Sequence, residues 1–353
     1  MTLVPKKGLA AQREKELEEK LEAYRSSLSE EQLDAMVEKT KALEAYQEAG
    51  EDPKALECIP MLKRSDIKRE AAKIINEELT VDDSLFLYHD VCTNGIGYVD
   101  LMFKTDSIAP EQIPYLGLLK SVLGYVDTEN YTYGELFNEI NANTGGINCG
   151  VEVFDRADST EEFQTMFSVR GKALYTKMDF LFKMIGEILN SSKLEDTKRL
   201  YEIVASVKSR AQVNLTGAGH STAVLRAAAY SSPMAAFQDE MAGIGYYQFI
   251  EKLEKDFEQR KEETVEELCK LMKKILRPEN FMISYTGERE SMETVQKLAG
   301  AVKAGLGTEP VEKSEEKLTC TKKNEGFKTS GQVQYVAQTG NFKKKGLEYT
   351  GAL

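Results

Sequence analysis

Strand-like runs between residues 80 and 305 come in neighbouring pairs set between long helical stretches. This order restricts the fold more than any other feature of the chain. Residues 85–92 and 97–103 are apolar-rich and flank Asn94-Gly95. That dipeptide favours a type I′ turn, because both central positions need positive φ, so a β-hairpin is expected there. Residues 147–154 and 163–174 read as a second pair, and residues 281–286 as a final strand. Helical patterns cover 108–126, 132–143, 180–189, 196–229, 249–276 and 292–304. The fourth of these is interrupted near Gly217-Ala218-Gly219. Adjacent strand pairs imply an antiparallel sheet with helices on one face. The expected class is α+β, not a doubly wound parallel sheet.

Residues 8–78 read differently, as helix with no strand. Leu17, Leu21, Tyr24 and Leu28 recur at three- and four-residue steps among charged residues. Ser29-Glu30-Glu31-Gln32 is a capping box that restarts the helix, and Leu33, Met36, Val37, Leu43 and Tyr46 continue the apolar stripe. Gly50 and Asp52-Pro53 end it, and Pro60 breaks the chain again. Those breaks leave too few unbroken heptads for a coiled coil, so a helical hairpin is expected. Residues 306–332 are rich in Lys, Glu and Thr and read as a linker. Residues 333–337 look like one strand, followed by a stub. The expected organisation is therefore a helical hairpin at 1–79, an α+β domain at 80–305, a linker at 306–332 and the first strand of a further domain at 333–353. A lone strand buries too little apolar surface to fold by itself. The chain is thus expected to be a piece of a larger protein.

Composition excludes several functions. Lys and Arg total 46 against 58 Asp and Glu, a net charge of −12. A nucleic-acid partner calls for the opposite balance, so none is expected. No apolar run reaches the roughly 18–20 residues of a membrane helix, so no membrane partner is expected either. The five cysteines, Cys58, Cys92, Cys149, Cys269 and Cys320, are widely spaced with no CxxC. A disulfide framework and a zinc knuckle are disfavoured, and a reducing compartment fits, cytoplasm or organelle matrix. His89 and His220 are the only histidines, and neither HExxH nor HxxEH occurs. A His-based zinc site cannot be built from them at set spacing.

The stretch YTYGELFNEINANTGGI at 131–147 resembles the insulinase-type (pitrilysin-like) zinc metallopeptidases, most closely the presequence-protease branch. CIPMLKRSDI at 58–67, NGIGY at 94–98, LGYVDT at 123–128 and SVRGKAL at 168–174 agree with it in order. The resemblance implies a protein of two clam-like halves joined by a helical hairpin, each half with two α+β domains. It implies that the first domain carries an inverted HxxEH zinc motif and that the fourth adds an Arg and a Tyr. This chain matches the hairpin, the third domain and the first strand of the fourth. The helix equivalent to the zinc helix is PYLGLLKSVLG at 114–124, which offers Leu116, Leu119 and Lys120 in place of His, Glu and His. Two apolar groups and an ammonium cannot hold zinc. No catalytic, cofactor-binding or metal-ligating residue is therefore assigned to this chain. Zinc is expected in the full-length parent, a metalloendopeptidase that degrades unfolded peptides in an enclosed chamber. Its expected partners are the N-terminal catalytic half and peptide substrates, and this fragment alone is expected to be inactive. An inactive insulinase-like scaffold subunit is the alternative. A helical-hairpin adaptor is a third, disfavoured by the ordered motifs.

The remaining features have plain structural readings. His89 sits in a strand beside Asp90 and lacks metal partners. His220 precedes Ser221, but sequence neighbours rarely form a Ser-His dyad, which also needs an oxyanion hole. Gly145-Gly146 closes a helix and lacks the Lys-Ser/Thr of a phosphate loop. Asn214-Leu215-Thr216 fits a glycosylation sequon but lies within a helix. The carboxylates between Glu14 and Glu22 form a solvated face. Phe154, Phe163, Phe167, Tyr175, Phe180 and Phe182 read as sheet–helix core, with a chamber wall as the competing role.

Overall fold

The computed structural model describes residues 7–348 except 51, 69, 71–72, 157–158, 317 and 330–332. The expected end of the stub at residues 350–353 lies outside the described residues. The chain divides into two units, Met1–Lys73 and Ile74–Leu353.

The first unit holds α1 (Leu9–Ser27), α2 (Glu30–Glu48) and the short α3 (Pro53–Leu56). The capping box forms as the sequence predicts. Ser29 Oγ accepts from the Gln32 amide at 3.2 Å, and the Ser29 amide donates to Gln32 Oε1 at 3.0 Å. Asp52 caps α3 by accepting from the Lys54 amide at 3.0 Å, with Pro53 in the first turn where no amide is needed. The stripe formed by Leu17, Leu21, Tyr24, Met36, Val37, Leu43 and Tyr46 is exposed within this unit.

The second unit runs through β1 (Glu77–Val81), β2 (Ser84–Asp90), β3 (Ile96–Lys104), α4 (Ile113–Val122), α5 (Tyr133–Asn143), β4 (Ile147–Asp155) and β5 (Phe163–Leu174). Then come α6 (Met178–Ser191), α7 (Thr197–Gly217), α8 (Gly219–Ala229), α9 (Pro233–Ala242), α10 (Ile244–Lys255) and α11 (Phe257–Ile275). β6 (Phe281–Gly287) and α12 (Met292–Ala304) complete it. The six strands form one sheet in the order β1-β2-β6-β3-β5-β4. The class is α+β.

The sheet corrects the expected first hairpin. β2 and β3 are not neighbours, because β6 lies between them. It pairs parallel with β2, Phe86 against Ile283, and antiparallel with β3, Leu101 against Ile283. Asn94 and Gly95 do take positive φ, 55° and 81°. Their turn arches over the end of β6. Glu288, the residue after β6, fastens it by accepting from the amides of Thr93 at 3.1 Å and Asn94 at 3.2 Å. A turn signal reports backbone handedness, not which strand fills the gap. The true partner of β2 is β1, which starts before the expected boundary at residue 80 and inside the stretch read as all helix. Asp82 and Asp83, at φ 47° and 63°, make that turn. One parallel pair therefore sits in a sheet expected to be antiparallel throughout. The second hairpin forms as expected, with β4 antiparallel to β5.

One sheet face carries Phe86, Tyr88, Val99, Leu101, Phe103, Val169, Ile283 and Tyr285, all buried, and packs against α6 and α12. Contact is close enough that a Cβ on Gly171 would lie 2.6 Å from Leu181 Cδ1 of α6. Alternation sends Tyr98, Asp100, Arg170 and Lys172 to the opposite face. There Arg170 bridges Asp100 at 2.7 Å and Glu152 at 3.1 Å.

Three helical readings also shift. The helix expected over 108–126 is α4 alone, preceded by a 3₁₀ turn at Pro110–Gln112 and followed by Gly124 at φ 84°. The helix expected over 249–276 is α10 and α11, broken at Asp256 so that Phe257 can bury against Tyr201. α9 lies in a stretch given no element. Residues 306–332 contain no helix or strand among those described, but they are tethered rather than loose. The Ser314 amide donates to Ser107 O at 3.1 Å, Leu318 packs on the core, and Glu325 pairs with Arg226. Residues 333–337 form no strand, because a strand needs a hydrogen-bonded neighbour and none of the six pairs with this segment.

Candidate functional site

α4 is the element on which the functional question turns. It begins at Ile113-Pro114, and Leu116 and Leu119 are 0% and 1% exposed in the core. Lys120 points elsewhere, to a cleft of about 390 Å³ between α4, α7, α8 and α10. Burial holds the Lys120 ammonium below its usual pKa, against an opposing pull from Glu152. Arg210 of α7, Ser221 and Thr222 of α8, and Tyr246 of α10 share the cleft wall. No lining residue is Asp or Glu. Tyr246 is 5% exposed, and its enclosed hydroxyl lies beside Ser121, with no other hydrogen-bond partner among the described residues. Burial raises its pKa.

A second hollow, of about 310 Å³, lies on the open sheet face between Tyr98, Asp100, Arg170, Lys172, Ser284 and Thr286. Asp100 keeps one carboxylate oxygen buried without a hydrogen-bond partner among the described residues, and burial raises its pKa despite Arg170. Gly145 and Gly146 border this hollow. The Gly145 amide donates to Lys172 O at 2.7 Å, and Gly146 has φ 105°. They make the turn from α5 into β4.

The two histidines are not brought together with other metal donors. His89 Nδ1 lies 2.7 Å from Ile75 O and Nε2 3.2 Å from Ser284 Oγ, so both nitrogens are used structurally. The His220 ring lies 6.3 Å from the Tyr335 ring. Among the described residues no group of three or more His, Cys, Asp or Glu is arranged to hold a metal ion. Leu116, Leu119 and Lys120 offer no donor set for zinc. Asn214 and Thr216 lie within α7, as expected. All five cysteines are unpaired, and burial pushes the Cys149 thiol up to about 12. Of the aromatic residues, Phe167 and Phe182 are core, Phe163 packs edge-on to Phe237, and Phe154 is exposed on β4. Tyr175 accepts from the Glu288 amide at 2.8 Å and joins the β6 turn. Arg210 and Tyr246 carried no signal in the sequence, because nothing local marks residues from separate helices that share one cleft.

A family model described as associated with peptidase family M16, subfamily C, matches residues 3–253. The chain belongs to this family. The match agrees with the insulinase-type resemblance read from the sequence. "Protein HypA" of Clostridium perfringens is 35% identical over 353 residues, all of this chain and 36% of that protein. "Presequence protease 1, chloroplastic/mitochondrial" of Arabidopsis thaliana is 27% identical over 345 residues, 96% of this chain and 32% of that protein. The chain thus spans about a third of the length of these curated relatives. A crystal structure described as a peptidase M16 inactive domain from Pseudomonas fluorescens aligns with 69% of this chain and 54% of its own. Its TM-score is 0.46 and its identity 14%. No helix among the described residues is long and apolar enough to cross a membrane.

Proposed function

We propose that this peptidase-associated chain is the non-catalytic segment of a longer zinc-dependent metalloendopeptidase. The parent degrades unfolded peptides in an enclosed chamber, in the cytoplasm or an organelle matrix. The observation that carries this reading is α4. Its Leu116 and Leu119 are spent in the core and its Lys120 is a cation, so the helix equivalent to a zinc helix has no metal donors. The match to presequence proteases about three times as long supports a partner segment that does have them. Zinc in that segment supplies an activated water. The residues of this chain take no part in the step. They contribute wall: the open sheet face with Tyr98, Arg170 and Lys172, and the helical hairpin that joins the halves.

The test measures zinc content and peptide hydrolysis together. The chain alone is expected to hold no stoichiometric zinc and to cleave nothing. The N-terminal catalytic half mixed with this segment and its following domain is expected to do both. Chelator-sensitive hydrolysis by the chain alone refutes the reading. So does a catalytic half whose activity is indifferent to this segment.

A further inference from the structure

We infer that the exposed aromatic face of α5, with the loop before it and the start of α7, is a docking platform for the catalytic half of the parent protein. The inference rests on the two-segment reading above and adds to it a surface through which the segments meet.

Three aromatic rings are left open to water in one place. Tyr125 of the loop and Tyr133 and Phe137 of α5 are 50%, 44% and 56% exposed. Tyr133 and Phe137 stand four residues apart and are neighbours on the helix surface, beside the face that buries Leu136 and Ile140. Arg199 of α7 joins them to Tyr125. Its guanidinium lies 3.8 Å over the Tyr133 ring, its Nε donates to Tyr125 O at 2.9 Å, and its Nη1 donates to Glu202 at 2.9 Å. Single exposed apolar groups are ordinary on a protein surface. A cluster of Tyr, Phe and Arg is instead the composition found at the energetic centre of protein interfaces. The cluster is also held rigid. Asp127 Oδ1 accepts from the Tyr133 amide at 2.8 Å, and Glu187 of α6 accepts from the Asn130 amide at 3.1 Å and from its Nδ2 at 3.0 Å. The Glu129 amide donates to Ser191 O at 3.1 Å and the Lys193 amide to Asp127 O at 2.8 Å, which ties the loop to the end of α6. A surface ordered in advance loses less freedom on association.

The geometry also selects the occupant. Neither hollow described above includes any of these residues, so the face suits a folded surface rather than a small ligand or a threaded peptide. A second copy docked across a twofold axis would set Arg199 against its own equivalent. This chain covers 36% and 32% of two curated relatives, which leaves about two thirds of such a protein to supply a folded partner. Arg199 Nη2 has no hydrogen bond among the described residues. The partner surface is therefore apolar, with a carboxylate or carbonyl placed to accept from that nitrogen.

The test is hydroxyl-radical footprinting of this chain alone and of the full-length parent, read by mass spectrometry. In the chain alone, Tyr125, Tyr133 and Phe137 are expected to oxidise readily. In the parent their oxidation is expected to fall by about fivefold or more, as half-exposed rings become interface core. Tyr98, which the reading above places on the chamber wall, should keep its reactivity. Thermal melts give an independent readout. Phe137→Ser is expected to shift the Tm of the chain alone by about 2 °C at most, and to lower that of the parent by about twice as much. Rings that stay as reactive in a zinc-loaded, active parent as in the chain alone overturn the proposal and leave the reading intact. Equal melting shifts in chain and parent do the same. A parent with neither zinc nor hydrolysis overturns the reading, and the proposal with it. Protection in the chain alone that grows with concentration assigns the face to a second copy, and protection in the parent only when peptide is added assigns it to substrate. Either result overturns the proposal.

Discussion

Arg226 of α8 is the residue whose replacement should reveal most about how the second unit is held together. Its Nη1 donates to Asp239 Oδ2 of α9 at 2.5 Å, and its Nε and Nη2 grip Glu325 at 2.9 and 3.0 Å. Asp239 is 1% exposed and also accepts from the amides of Ile244 and Gly245, both at 3.1 Å, which starts α10. One guanidinium thus joins α8, α9, the start of α10 and the segment after residue 306. Breaking a buried pair from one side costs about 3–5 kcal/mol. Asp239 keeps two amide donors after Arg226→Met, which places the expected loss at the lower end, about 3 kcal/mol. Glu325→Gln, at a more exposed position, should cost about 1 kcal/mol and release the segment rather than the helices. Urea unfolding followed by circular dichroism at pH 7 measures both. Hydrogen exchange of the amides around Glu325 separates local release from global loss. The Arg226 hydrogen bond holds the Glu325 carboxyl below its usual pKa of 4.5. A lowered folded pKa means that stabilisation is complete above that value and fades as pH falls through the folded pKa. The gap between wild type and Arg226→Met should therefore narrow below about pH 4.5. A loss under about 1 kcal/mol at pH 7, or a gap that does not change with acidification, refutes the account.

Three further outcomes are expected. Gly117→Ala should destabilise by about 1–3 kcal/mol despite better helix propensity, since its Cβ would lie 2.7 Å from Met241 O and 2.8 Å from Tyr246 Cε2. A thermal melt reads the sign, and an increase in stability would show that α4 and α9 can separate freely. Leu181→Ala, fully buried against β5, should cost about 2–5 kcal/mol in urea unfolding, and a loss under about 1 kcal/mol would mean that the α6 contact is not core. Asp83→Gly should stabilise by about 0.5–1 kcal/mol, because Asp83 holds φ 63° in the β1–β2 turn. Destabilisation by the same assay would place a side-chain role at Asp83.

Features set by neighbours in sequence were legible. Thr132 and Glu135 form the capping box that starts α5, with the Thr132 amide donating to Glu135 Oε2 at 3.0 Å. α12 and the β4–β5 hairpin follow from periodicity and a short connection. α9 was readable too, from Ser232-Pro233, where Ser232 Oγ accepts from the Ala235 amide at 3.3 Å. The apolar pattern of α10 and α11 runs through Asp256, so their break depends on packing around Phe257 and is not written locally.

The sequence by itself determined the α+β class, the family resemblance and the unsuitability of Leu116, Leu119 and Lys120 as zinc ligands. These rest on residue identity and short-range periodicity, which need no partner. Only the tertiary structure decided that β6, nearly two hundred residues after β2 by the pairing of Phe86 with Ile283, enters between β2 and β3. It alone placed Lys120, Arg210 and Tyr246 around one cleft. Strand insertion and cleft formation are settled by which apolar faces can be buried together across the whole chain. No local window of sequence carries that information.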